Sequence, residues 1–463
     1  MDQANKPAPP KSTPLLEFAQ PRQLQRALAW ALETRLFAEF RPHGNTSWKF
    51  PDFVLPTLFW VWSDRRTLTA AFDQASRLCR SLVGTAVFKS YRGFAGALTT
   101  WTPELVPLLW ACLQKRMAAI AGTHWRIGPW LPLAVDGSRT TTPRTRKNER
   151  AFCPQRFGGG HTAKTRKRWK NKKRRGKKLA RPVHPQIWLT LLWHMGLKMP
   201  WSWKCGPSYS SGRHHFAALL ETQEFPEKTP FCGDAGFVGY DLWRAMADRG
   251  HHFLIRVGSN VRLLRRLGAV KRRGDPVHFW PNAAAAKNEP PMALRLLAFR
   301  MGRCEIFAVT NALSERALTA AQAQRLYRVR WGVEVQFRSL KQTFGRSKLS
   351  SRTPERAYGE LEWSLIGLWP IQLPTASEQI PKGIGPEKSS VSVAVQIVRD
   401  AMGRGRPMGL KIALRGAVKD ECKRRGPKRA RYRPQLKDKP SAGRPKIANA
   451  NAEQNRKYRQ MKR

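Results

Sequence analysis

Acidic residues are scarce in this chain: 31 Asp and Glu stand against 85 Lys and Arg in 463 residues, which leaves a net charge of +54. Such an excess repels itself unless a polyanion neutralises it. Nucleic acid fits that requirement best, because each phosphate contact releases counterions. The alternatives are a solvated basic surface and a protein that binds at a membrane surface. Eighteen Trp and 21 Phe exclude a wholly disordered basic chain, since such chains lack aromatic side chains.

The sequence also lacks closely paired cysteines and long apolar runs. Its seven cysteines are odd in number and scattered, which argues against a disulfide framework and a zinc module and predicts a reducing compartment. No N-terminal stretch is typical of a signal peptide, and the longest apolar runs are too short or too interrupted to span a bilayer. We therefore expect a soluble, cytoplasmic protein that does not contact the membrane.

Changes in composition along the chain predict three consecutive domains. Apolar residues three and four apart predict a helical N-terminal domain over 1–126. Strand-like and helix-like segments alternate over 127–375, and a basic stretch at 164–181 with almost no apolar residues is expected to be an exposed loop. The C-terminal region, 376–463, is rich in Lys, Arg, Pro and Gly and is expected to be partly disordered and to bind polyanions.

The middle domain is predicted to be α/β, with helices covering a mixed sheet. Short apolar runs predict five strands, at 131–137, 187–193, 201–207, 230–236 and 252–258. Residues 259–311 break the alternation and are expected to form a β-rich insertion. A helix is then expected from about Leu318 to Phe344, with Gly345 as its C-terminal cap.

Two aspartates stand where apolar strands meet a glycine, Asp136 in "AVDGS" and Asp234 in "CGDAGF". A lone Asp beside Gly is usually a turn residue. The shared placement of these two at strand ends is what would let distant carboxylates converge. Asp241, Asp248 and Asp275 are nearby competitors, but none directly follows an apolar strand.

The helix predicted before Gly345 carries four reactive side chains on one stripe. Tyr327, Arg330, Glu334 and Lys341 fall within a narrow arc at about 100° per residue, beside an apolar stripe. A carboxylate flanked by cations and a phenol suits phosphate chemistry, in which the acid holds metal and the bases grip the phosphodiester. An ordinary amphipathic helix with charge pairs remains an alternative.

The spacing Y-x2-R-x3-E-x6-K resembles the signature of the transposases of bacterial insertion sequences, in the large family founded on insertion sequence four. The segments "AVDGS" and "CGDAGF" are similar to the two aspartate motifs of that family. The resemblance covers about Leu131 to Trp369 and depends on three motifs in the same order.

This resemblance implies an RNase H-like catalytic domain with a β insertion before the helix that carries Glu334. Asp136, Asp234 and Glu334 would be the catalytic residues and the ligands of two Mg²⁺ ions, with Mn²⁺ able to substitute. Tyr327, Arg330 and Lys341 would contact DNA.

The resemblance also implies an activity and partners. The enzyme would cut DNA at the ends of its element and join the ends to target DNA, as a homodimer in the DNA complex. The N-terminal domain would bind element ends, and the protein would be associated with the bacterial nucleoid. Trp280 would be the tryptophan of the insertion that stacks on a flipped base.

Two other functions remain open at this point. An RNase H-like nuclease would cut without joining, and paired-end synapsis with strand-transfer products would separate it from a transposase. A transposase-derived DNA-binding protein would be inactive, and the intact set of three acids argues against it.

Overall fold

The computed structural model describes residues 19–32, 40, 46, 48–84, 88–153, 184–268, 276–302, 304–403, 409–420 and 443–462. Two compact units are present: Met1–Ile120 with Gly359–Lys419, and Ala121–Tyr358 with Asp420–Arg463. Both units are discontinuous in sequence, whereas the composition predicted consecutive domains. Among the helices in these ranges, none is long and apolar enough to cross a membrane.

The first unit is helical. Numbered in order along the whole chain, its helices are α1 Ala19–Ala31, α2 Phe50–Trp62, α3 Leu68–Val83, α4 Tyr91–Ile120, α11 Pro354–Gln379, α12 Val391–Gly403 and α13 Leu410–Arg415. Helix α11 belongs to this unit from Gly359 onwards. Indole groups fix the packing of its core: Trp62 Nε1 donates to the Gly367 carbonyl at 2.7 Å, and Trp363 Nε1 donates to Thr102 Oγ1 at 2.8 Å. The predicted helices of this region are therefore present, and buried aromatic side chains hold them together.

The second unit is built on a ten-stranded mixed sheet in the order β10-β6-β7-β8-β9-β5-β4-β1-β2-β3. The strands are β1 Leu133–Thr141, β2 Gln186–His194, β3 Met199–Pro207, β4 Pro230–Gly233, β5 His252–Val257, β6 Arg262–Arg265, β7 Val277–Phe279, β8 Met292–Met301, β9 Cys304–Thr310 and β10 Lys446–Asn449. Strand β1 runs antiparallel to β2, while β1, β4 and β5 are parallel. All five strands predicted from the apolar runs are present.

Helices complete this unit. They are α5 Arg146–Phe152, α6 Gly212–Thr222, α7 Tyr240–Asp248, α8 Asn282–Ala286, α9 Ala320–Arg330, α10 Gly332–Arg338 and α14 Ala452–Lys462. Helix α6 packs on β2 and β3, and α7 packs on β5. Apolar residues of the central strands are buried by these helices, for example Val135 and Leu191 at 0% exposure. The α/β character predicted for the middle of the chain is confirmed.

The insertion expected at 259–311 contains β6, β7, β8, β9 and α8. It is extended by a segment from the C-terminal region, for which the composition predicted partial disorder. Strand β10 pairs in parallel with β6, with Lys446 opposite Arg262, and α14 follows it. Residues 446–462 are thus a strand and a helix, and the disorder expected for other parts of the C-terminal region stays a prediction. The sequence did not indicate this strand, because its four residues, "KIAN", are too few to show an apolar run. Residues 421–442 and the basic loop 164–181 lie outside the described residues.

His194 is buried at the end of β2, and burial lowers its pKa to about 3. Its ring stacks on Trp125 at 4.9 Å between centroids, and its Nδ1 accepts a hydrogen bond from the Leu197 N–H at 3.0 Å. The ring is therefore neutral in the folded state. In the unfolded chain the histidine has an ordinary pKa near 6.5. Between that pH and about 3, the unfolded chain binds a proton at His194 and the folded chain does not.

We predict that this difference in proton binding lowers the free energy of unfolding as the pH falls from about 6.5 towards 3, by up to about 1.4 kcal/mol per pH unit. His194→Asn keeps an acceptor for Leu197 but cannot titrate, so its free energy of unfolding should fall less steeply over that range. Urea unfolding at several pH values measures both slopes, with the exposed His184→Asn as control. Equal slopes for wild type and His194→Asn would contradict the prediction.

Candidate active site

Asp136 and Asp234 lie side by side on neighbouring parallel strands. The paired positions of β1 and β4 end with Val135 opposite Gly233, so the next residue on each strand is an aspartate. Neighbouring strands are about 4.8 Å apart, which brings the two carboxylates to one place on the sheet. Strand β1 itself continues to Thr141 because β2 still pairs with it. Asp136 therefore marks the end of the parallel pairing, not the end of the strand that was expected.

Backbone N–H groups orient both aspartates. Asp136 Oδ1 accepts from the Gly137 N–H at 2.7 Å. Asp234 caps a short 3₁₀ turn, Ala235–Phe237, and its Oδ1 accepts from the Gly236 N–H at 2.8 Å. This turn is why β4 ends at Gly233, three residues earlier than the apolar pattern predicted. In each case one carboxylate oxygen is fixed by the backbone.

Glu334 lies in the first turn of α10, which packs against β1. The single helix predicted from Leu318 to Phe344 is interrupted. Helix α9 begins after a capping box between Thr319 and Gln322 and ends at Arg330. Helix α10 starts at Gly332, and its last turn gives way to a π-helical turn at Ser339–Thr343. The periodicity of the side chains gives no sign of these two irregularities.

Arg330 and Tyr327 are buried, at 3% and 0% exposure. Arg330 Nη1 lies 3.7 Å from Asp136 Oδ2, so Arg330 pairs across the site with β1 and not with Glu334 of the following helix. Its guanidinium also lies 5.2 Å from the ring centroids of Tyr327 and Trp331. Arg330 Nε and Nη1 have no hydrogen-bond acceptor among the described residues.

Lys341 reaches β1 as well. Its Nζ donates to Ser138 Oγ at 2.7 Å, and partial burial lowers its pKa. Side chains alternate along a strand, so Ser138 is on the same face of β1 as Asp136. Sequence reasoning missed Ser138. The available signal was its position two residues after Asp136 in "AVDGS".

The site has an excess of negative charge around a desolvated carboxylate. The pKa of Asp136 is raised to about 6; burial is the largest cause, and the carboxylates of Asp234 and Glu334 act in the same direction. The Gly137 N–H and the Arg330 guanidinium act in the opposite direction. Asp234 and Glu334 therefore each lie within electrostatic range of Asp136. A cation placed among them would relieve this repulsion.

The donor set fits a divalent cation by its chemistry. Carboxylate oxygens are hard ligands of the kind that Mg²⁺ and Mn²⁺ prefer. Within the part of the chain that the structure describes, no group of three His, Cys, Asp or Glu side chains is arranged so as to hold a metal ion. The three acids would therefore have to draw closer together to act as joint ligands.

Trp280 of the insertion lies in the interior. It is 5% exposed, and its Nε1 donates to the Glu289 carbonyl at 2.8 Å. A stacking role for this ring would require it to leave that hydrogen bond.

Comparison with known proteins agrees with this geometry. Residues 131–369, just over half of the chain, match the model of the transposase DDE domain. The chain belongs to this family of transposases.

Two known proteins are similar to large parts of the chain. Transposase InsG for insertion sequence element IS4, from Escherichia coli (strain K12), is 24% identical over 282 residues, which is 58% of this chain and 57% of the relative. The chain thus matches little more than half the length of that relative. A piggyBac transposase synaptic complex with hairpin DNA has a TM-score of 0.36 at 13% identity, covering 88% of this chain and 86% of that one. A TM-score this low does not establish a common fold.

The buried position of Arg330 leads to a prediction about stability. Arg330→Ala removes the partner of a desolvated carboxylate and should lower the free energy of unfolding by about 3 kcal/mol. The matched control is Arg328→Ala, because Arg328 is exposed on the same helix. Urea unfolding of both variants tests the difference. If both variants match the wild type, the contact between Arg330 and Asp136 contributes no more than a surface pair.

Proposed function

We propose that this chain is a DNA transposase of an insertion sequence, which cleaves DNA at the ends of the element and transfers the strands into target DNA. One observation carries the proposal. Two aspartates stand side by side at the end of a parallel strand pair, and Glu334 is close enough to raise the pKa of one of them. The match to the transposase DDE domain covers all three acids.

The catalytic fold is proposed to be RNase H-like. Three antiparallel strands, β1 to β3, are followed by two strands parallel to β1, with α6 and α7 preceding β4 and β5 respectively. This order supports the assignment, with β6 to β9 as the insertion before the helix that carries Glu334. The helical region at 1–126 is proposed to bind element ends.

Asp136, Asp234 and Glu334 would hold two Mg²⁺ ions, for which Mn²⁺ can substitute. When bound, such ions activate the attacking oxygen and stabilise the leaving oxygen of an in-line displacement at phosphorus. The Gly137 and Gly236 N–H groups keep one oxygen of each aspartate fixed. Arg330 orients Asp136 and limits the repulsion among the acids.

DNA contacts are proposed for Tyr327, Arg330 and Lys341. Lys341 is only half-buried, and its ammonium donates a hydrogen bond to the Ser138 hydroxyl. Ser138 is on the same strand as Asp136, so this ammonium would lie near a scissile phosphate. Tyr327 and Arg330 are buried, so their contacts with DNA would follow an opening of the site. A homodimer that holds two element ends, and association with the bacterial nucleoid, complete the proposal.

Removing any of the three acids should abolish cleavage and leave DNA binding largely intact. Asp136→Asn, Asp234→Asn and Glu334→Gln each remove a charge that would bind metal without touching the basic surface. The assay uses Mg²⁺ and labelled DNA carrying the sequences that flank the gene, and measures nicks and joined products. Asp248→Asn is the control, because Asp248 is exposed and pairs with Arg244.

Full cleavage by one of the three variants would remove that residue from the site. Cleavage by the wild type without joined products would favour a nuclease over a transposase.

The segment 443–462 should bind phosphates, since it carries six Lys and Arg and one Glu. Replacing the exposed Lys446, Arg456 and Arg459 by Gln should flatten the salt dependence of DNA binding, by about 0.9 in log–log slope for each phosphate that is no longer neutralised. Glu453→Gln on the same helix is the control of opposite charge and should not flatten it. An unchanged slope for the triple variant would mean that this surface does not meet DNA.

A further inference from the structure

The helix that carries Glu334 rests directly on a tryptophan ring. A Cβ added at Gly332, the first residue of α10, would lie 2.2 Å from Cη2 of Trp193, 2.9 Å from Cζ3 and 3.1 Å from Cζ2. Carbon atoms in contact are normally about 3.5–4.0 Å apart. Any side chain at position 332 would therefore require the helix or the indole to move by at least about 1 Å.

Trp193 has little freedom to move. It is 1% exposed and lies on β2 opposite Ala134 of β1. The Lys198 ammonium lies 5.1 Å from the centroid of its ring. The strand that Trp193 faces, β1, also carries Asp136. One strand pair thus fixes both the first aspartate and the surface on which the glutamate helix lies.

Helix propensity alone would not place glycine at this position. Glycine is a poor helix former, and alanine is the most favourable residue. Gly96 in α4 shows the ordinary situation, because an added Cβ there meets nothing within 4 Å. Gly332 is different, since the absent side chain is what allows the close approach to Trp193.

A similar contact lies beside Asp136. A Cβ at Gly137 would come within 2.5 Å of Cζ2 of Trp188, which is also on β2. The Trp188 indole donates to Thr190 Oγ1 at 3.0 Å, which holds the ring in place. Strand β2 therefore presents an indole to the backbone next to Asp136 and another to the backbone just before Glu334.

We propose that Gly332 and Trp193 are positioning residues that set how closely Glu334 approaches Asp136. This inference rests on the proposed function, because the approach matters only if the acids act together. Glu334 is two residues from Gly332 in the same helical turn, so a shift of the helix start moves its carboxylate. A displacement of about 1 Å at a catalytic group can cost roughly 100-fold in rate.

The test combines Gly332→Ala, Trp193→Phe and the double variant with a matched control, Gly96→Ala. Gly332→Ala should reduce cleavage of end DNA in Mg²⁺ roughly 100-fold and lower the unfolding temperature, while DNA binding remains unchanged. Trp193→Phe removes the outer ring atoms that an alanine methyl would meet. The double variant should therefore recover both cleavage and unfolding temperature relative to Gly332→Ala.

Gly96→Ala should keep cleavage and have an unchanged or raised unfolding temperature, as helix propensity predicts. Should Gly332→Ala fail to fold, recovery of folding and cleavage in the double variant still decides the matter.

Wild-type cleavage and melting by Gly332→Ala would overturn the inference. So would a double variant no better than Gly332→Ala while Trp193→Phe alone is active. Absence of cleavage by the wild type would count against the proposed function, whereas the unfolding temperatures would still report on the contact between Gly332 and Trp193.

Discussion

The parallel pairing of β1 with β4 is the contact on which the site depends. Parallel strands cannot be joined by a tight turn, and here 88 residues separate Thr141 from Pro230. That interval contains β2, β3 and α6, which extend the sheet and cover it. The pairing places Asp136 and Asp234 next to each other although they are far apart in sequence. The acid on α10 and the cations of α9 and the π turn then approach from the face of β1.

Burial at this point has opposite effects on the charged groups. It raises the pKa of Asp136 and lowers the pKa of Lys341, so each ionised form depends on a partner. Arg330 forms an ion pair with Asp136, and Ser138 accepts a hydrogen bond from Lys341. The packing around the site therefore keeps charged groups in an environment that disfavours their ionised forms, as is common at functional sites.

Much of the fold could be predicted from the sequence, because buried strands appear as short apolar runs and helices as three-and-four spacing. The five strands around Asp136 and Asp234 follow that rule. The break at Trp331, the π turn and the docking of 446–449 on β6 could not be predicted, since they depend on tertiary contacts and not on local periodicity. Of the predicted stripe of Tyr327, Arg330, Glu334 and Lys341, the side chains of Arg330 and Lys341 reach β1. The stripe did not predict that Tyr327 and Arg330 are buried, because helical periodicity alone does not determine which side chains the sheet covers. The chemical roles of these residues remain predictions.

The pairing of β10 with β6 has a consequence for synthesis of the chain. Lys446 follows its partner Arg262 by 184 residues, so at a ribosomal rate of about 5–20 residues per second the edge of β6 waits roughly 10–40 s for its neighbour. An open strand edge is a template for wrong pairing, and charged side chains are a common protection. Arg262, Arg265 and Arg266 are exposed at this edge. Their mutual repulsion would keep nascent copies on one polysome from joining edge to edge before β10 emerges.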